Sequence, residues 1–74
     1  MKKKEAIYLH VLLCEVRNHM EDRGRVREQD FAAYEDLGID PIRFDQSKTV
    51  HEEALLVLAS ELERALTDER VAPL

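Results

Sequence analysis

The chain holds only two glycines, Gly24 and Gly38, and each stands where a run of helical apolar spacing stops. Glycine accepts the left-handed backbone that closes a helix, so these positions punctuate the 74 residues into three helical segments. Two glycines and two prolines are also too few for the many tight turns of a sandwich or barrel. The predicted class is all-α: two long helices plus a short middle helix, packing as a dimeric helical bundle.

In the first segment Ala6, Leu9, Leu13, Val16 and Met20 recur at spacings of 3, 4, 3 and 4, from about Lys3 to Arg23. Ile7, Val11 and Cys14 fall on one flank of that stripe, and Tyr8 with Leu12 on the other. A helix apolar on several sides needs cover on several sides. One short third helix cannot supply it within a single copy, which is the reason to expect a homodimer.

The second segment, about Glu28 to Leu37, sets Phe31, Tyr34 and Leu37 on one face and stops at Gly38. Ile39 is expected to close back onto Tyr34. Asp40-Pro41 is expected to keep the chain extended, with Ile42 and Phe44 docking against the helices. The third segment opens at Ser47 or Thr49, either of which can cap a helix. His51, Leu55, Leu58, Leu62 and Ala65 then repeat at 4, 3, 4 and 3, with Glu53, Glu61, Glu63 and Arg64 off the stripe. The expected layout is one helical domain over residues 1–69 and a frayed tail over 70–74.

The net charge of −5 argues against nucleic-acid binding as a default. Its local exceptions are Lys2-Lys3-Lys4 and the basic turn Arg23 to Arg27. The lone Cys14 cannot form an internal disulfide, and no signal peptide or membrane-length apolar run is visible. A cytoplasmic address with no membrane partner follows as an expectation.

No catalytic constellation is complete: there is no phosphate-cradling glycine loop, no GxSxG, no HExxH and no CxxC. The chain is expected not to be an enzyme. The residues with chemistry are histidines. His51 lies in the middle of the third apolar stripe, and His10 borders the first, with Cys14 one turn further on. Neutral imidazoles are common ligands for a divalent transition metal such as zinc, and Asp45 lies close enough upstream of His51 to add an oxygen. If residues 24–46 carry the chain back along the bundle, His10 and His51 meet. If the long helices run antiparallel, they lie apart unless a second copy supplies the partner. A buried histidine on an apolar face has a plainer reading too, as a core residue bonded to backbone or carboxylate.

Three landmarks carry a resemblance: Lys3-Lys4-Glu5-Ala6-Ile7 with His10, Leu12-Leu13 and Glu15-Val16-Arg17; Tyr34-Glu35-Asp36-Leu37-Gly38 with Pro41; and Ser47-Lys48, His51 and Glu53-Ala54. Together they resemble the archaeal uncharacterised protein family 0058, over about residues 2 to 66. The resemblance implies a pattern His-x-Ser-Lys-x-x-His before the last helix. Ser47, Lys48 and His51 match it, and Asp45 stands where its first histidine would be. A carboxylate there favours harder metals than imidazole does. Cys14 has no counterpart. Arginines outnumber lysines seven to four, which with the acidic balance resembles a member from a salt-adapted host.

Three functions are compatible with these residues. The first is a non-catalytic homodimeric interaction or scaffold protein, with a further protein partner unidentified. The second is a metal-binding protein using His10, His51 and Asp45. The third is a nucleic-acid-associated regulator using the two basic segments.

Overall fold

The structure is a computed structural model that describes residues 1–43 and 45–71, with side chains as far as residue 67. Its elements are α1 (Lys3–Asp22), a 3-10 turn (Glu28–Phe31), α2 (Ala32–Leu37) and α3 (Lys48–Val71). No strand occurs among the described residues. No helix is long and apolar enough to cross a membrane, among those residues.

Local chemistry sets each boundary. At the start of α1 the Lys2 backbone N–H donates to the Glu5 carboxylate at 2.7 Å, and that carboxylate also faces the positive end of the helix. At its end Gly24 takes φ 71°. The N–H of Arg25 then reaches the Met20 carbonyl at 2.9 Å and that of Gly24 the Glu21 carbonyl at 3.0 Å, a Schellman closure. Gly38, at φ 64°, ends α2 in the same left-handed region. Ser47 opens α3, its hydroxyl accepting the Val50 N–H at 3.2 Å, so the helix starts two residues before the Thr49 alternative would allow.

The connection from α2 to α3 differs from the extended reading. Asp40 to Arg43 form a β-turn with Pro41 at its second position, closed by Arg43 N–H on the Asp40 carbonyl at 3.0 Å. The Asp40 side chain adds a bond from the Ile42 N–H. The turn swings Ile42 outward, leaving it 64% exposed rather than docked. Phe44, expected to dock beside it, lies outside the described residues. At the other end α3 runs to Val71, and residues 70 and 71 of the expected tail stand in its last turn. The rest of the expected tail, 72–74, lies outside the described residues.

The chain returns along the bundle between residues 23 and 47, so α1 and α3 run in the same direction. The early turns meet at His10 and His51. Later, Val26, Phe31, Tyr34, Ala54, Leu58 and Leu62 form the buried core, with Leu13 and Met20 of α1 packed against it. The α3 stripe is buried as its spacing predicts. The α1 stripe is rotated: its inward face is Ala6, His10 and Arg17, while Val16 is exposed and Leu9 only half-buried.

Two charged residues enter the core region. Arg17, 8% exposed, lies 4.3 Å over the Phe31 ring and donates to Glu35 at 2.6 Å and to Glu21 at 3.4 Å. Burial works against its charge, and the two carboxylates more than offset that, holding the guanidinium's pKa up. Glu61, which spacing alone sets off the stripe, is 6% exposed. Its carboxylate accepts the backbone N–H groups of Ala33 at 3.1 Å and Tyr34 at 2.9 Å, satisfying donors that open α2. A six-residue helix cannot stand alone in water, so this contact fixes α2 on α3.

Replacing Glu61 by Ala leaves both N–H groups without their acceptor, that of Tyr34 in a buried place and that of Ala33 in a half-buried one. The expected loss is about 2 kcal/mol, or roughly 10 °C in Tm for a domain of this size. Thermal unfolding followed by circular dichroism checks it; an unchanged Tm would show that α2 does not depend on the cap.

Candidate functional site

His10 comes from the third turn of α1, His51 from the first turn of α3 and Tyr34 from α2, so the three helices converge on one point. Both histidine side chains are 0% exposed. Their Nδ1 atoms lie 3.0 Å apart. Nε2 of His10 is 2.5 Å from the Tyr34 hydroxyl, and that hydroxyl is 3.2 Å from Cys14 Sγ. Nε2 of His51 is 2.9 Å from the Arg43 carbonyl. The rings stand edge to face, His10 on His51 at 5.2 Å between centroids and His10 on Tyr34 at 5.6 Å.

For neutral rings these contacts set one consistent order of donors and acceptors. A carbonyl only accepts, so the Nε2 of His51 carries a hydrogen and donates to Arg43. In a neutral ring its Nδ1 is then an acceptor, and the hydrogen between the rings belongs to Nδ1 of His10. His10 therefore accepts at Nε2, and the Tyr34 O–H donates to it. The Tyr34 oxygen is left to accept the Cys14 S–H. The Ile39 carbonyl, 3.4 Å from the same hydroxyl, is the longer alternative for that hydrogen. With both rings neutral, the result is a continuous chain, Cys14 to Tyr34 to His10 to His51 to Arg43, in which no ring nitrogen lacks a partner.

The electrostatics agree with a neutral chain. Burial pushes the Cys14 thiol up from its ordinary range, against the Tyr34 hydrogen bond and the Arg17 charge. Burial likewise raises Tyr34. His10 is held below the ordinary histidine value, by burial first and by the proximity of His51 second, with Asp40 pulling the other way. Neither the thiol nor the phenol is activated as a nucleophile or base would be. What the chain can do is lock three helices in one register, because each bond needs its partner at one place.

The two histidines singled out from the sequence are thus brought together. Asp45 is placed differently: its carboxylate sits at the surface, bonded to Arg43 Nε at 3.1 Å, which lowers its pKa from the ordinary carboxylate value. No group of three or more His, Cys, Asp or Glu side chains suited to a metal occurs among the described residues. His19 faces Arg23, whose Nε donates to it at 2.9 Å. Tyr34 was legible only as an apolar face residue; its hydroxyl's role depends on a fold that brings α1 behind it.

A second feature lies on the opposite side of α1. Tyr8 is 67% exposed, and Met1, Leu12 and Val16 are exposed along the same face. Apolar grooves flank Tyr8 on both sides, one lined by Ile7, Val11 and the stems of Lys3 and Lys4, the other by Met1 and Leu9.

A family model described as uncharacterised protein family UPF0058 matches residues 1–73. The chain belongs to UPF0058. A UPF0058 protein of Archaeoglobus fulgidus is 36% identical over 58 residues, covering 78% of this chain and 61% of that protein. One from Methanocaldococcus jannaschii is 30% identical over 73 residues, covering 99% of this chain and 71% of its own length. The chain thus spans less than two thirds of the first of these UPF0058 relatives. No solved structure matches.

The lowered pKa of His10 makes a pH prediction for this UPF0058 chain. Once unfolded, His10 titrates at its ordinary value of 6.5. Below that pH the unfolded chain binds more protons than the folded one, so the stability due to neutral His10 is complete above about pH 6.5 and is lost as pH falls through the folded value. The Tm should decline from about pH 6.5 downward, and less steeply in His10→Gln. Equal slopes for the two proteins would contradict the neutral assignment.

Proposed function

We propose that this protein is a non-catalytic interaction protein that works in the cytoplasm as a homodimer. The observation that carries this reading is the exposed apolar face of α1. A large aromatic and three aliphatic side chains along one helix face form a patch that a monomer has little reason to keep. The neutral, mutually satisfied polar chain inside suits a structural role, and a lone half-buried thiol suits a reducing compartment.

Leu12 lies at the middle of the face. Leu12→Asp would place a charge in the interface while leaving the α1–α3 core untouched, so the expected outcome is a folded monomer. Sedimentation velocity with circular dichroism reads both properties. A wild-type protein that is monomeric at high concentration, or a variant of unchanged size, would sink the reading.

The second reading is a transition-metal site on His10 and His51, and the Nδ1 separation of 3.0 Å favours it. Two nitrogens bound to one metal at about 2.0–2.1 Å stand about 3 Å apart when they are adjacent ligands. Each ring would also keep an outer partner on Nε2, Arg43 for His51 and Tyr34 for His10, as metal-bound imidazoles usually do. The Tyr34 hydrogen would turn to the Ile39 carbonyl. Asp45 would have to leave Arg43 to join, and water would complete the shell. Elemental analysis of untagged protein, before and after incubation with Zn²⁺, Ni²⁺ and Mn²⁺, decides this. One metal per chain, absent from folded His10→Ala, is the expected result; metal-free protein throughout would end the reading.

A further inference from the structure

We propose that two copies pair through α1 in antiparallel fashion, about a two-fold axis passing between Tyr8 and Leu12. This rests on the homodimer reading and adds the partner's orientation and register. Two properties of the face support a second copy of this chain as its occupant. The face carries both a protruding ring, Tyr8, and grooves beside it lined by Ile7 and Val11 on one side and by Met1 and Leu9 on the other. An isologous contact needs such self-complementarity, with knob and hole on the same surface.

The second property is charge. The helix begins with Lys2, Lys3 and Lys4 and carries Glu15 and Asp22 in its later turns, all exposed. A parallel pair would set lysines beside lysines and carboxylates beside carboxylates. An antiparallel pair sets opposite charges together. Lys4 and Glu15 are eleven residues apart in the sequence, close to three full turns, so they project from the same edge of the face. A two-fold axis perpendicular to both helices keeps each edge against its own copy. With the axis between Tyr8 and Leu12, Tyr8 lies opposite Leu12 of the second copy, and Lys4 lies within one residue, about 1.5 Å along the helix, of the level of its Glu15. Symmetry makes this ion pair twice, once at each end of the seam. Neither side chain has an ion-pair partner within the chain, among the described residues.

Charge reversal tests the register. Dimer dissociation is measured by sedimentation equilibrium at low ionic strength for wild type, Lys4→Glu, Glu15→Lys and the double variant. Each single reversal should weaken the dimer about tenfold, because two exposed pairs turn repulsive at once. The double variant should return to within about threefold of wild type, since both pairs are restored with their signs exchanged. Circular dichroism confirms that each variant folds. If the double variant is as weak as the singles or weaker, the antiparallel register is wrong although the dimer stands. If wild type is monomeric, or Leu12→Asp leaves the dimer intact, the homodimer reading itself fails and the register with it.

Discussion

Two imidazoles sealed from water must each find a partner for both ring nitrogens, and in this fold they find one in each other. That contact decides more than its own energy. A net hydrogen bond contributes about 1 kcal/mol, but a buried ring nitrogen left without one costs more than that. The arrangement therefore tolerates little sliding. A shift of α3 by one residue against α1 would move His51 by about 1.5 Å along the helix and around it by about 100°, stranding all four ring nitrogens. The same demand reaches α2 through the Tyr34 hydroxyl and the turn before α3 through the Arg43 carbonyl. Aliphatic packing would accept several registers here; the polar chain accepts one.

The parallel course of α1 and α3 follows from the same contact. His10 is early in its helix and His51 is at the start of its own, so they can meet only if the intervening residues bring the chain back. The 3-10 turn and α2 do that, and they are held by charge as well as by apolar packing. Glu61 satisfies the N–H groups that open α2, and Arg17 ties Glu35 of α2 to the flank of α1 while covering the Phe31 ring. These carboxylate and guanidinium groups stand at the edges of the core, where each finds a fixed partner.

Much of this was legible in the residue order. Gly24 and Gly38 mark helix ends because each takes a left-handed φ, and the α3 stripe from His51 to Leu62 is buried as spaced. His10 and His51 stood out because they interrupt apolar stripes. Other features depend on tertiary partners that spacing does not carry. Glu61 reads as a surface residue until α2 lies across it, and Arg17 reads as solvated until Phe31 supplies a ring beneath it. Asp45 was a candidate ligand because it stands where the resembled pattern has a histidine close before His51. Arg43, two residues away, offered its carboxylate a nearer cation.

The rotation of α1 connects the two halves of the structure. By composition this helix has enough apolar residues to bury a conventional stripe, yet it turns Ala6, His10 and Arg17 inward and leaves Tyr8, Leu12 and Val16 outside. Burying the polar pair costs desolvation that only a complete set of partners offsets, and α2 and α3 supply that set. The apolar surplus is thereby forced to the far side of the same helix. A polar interior fixes register within one chain, and an apolar exterior is the surface that the proposed dimer would remove from water. In this fold one helix carries both, so the dimer seam of the proposed assembly is held in place by the histidine contact behind it.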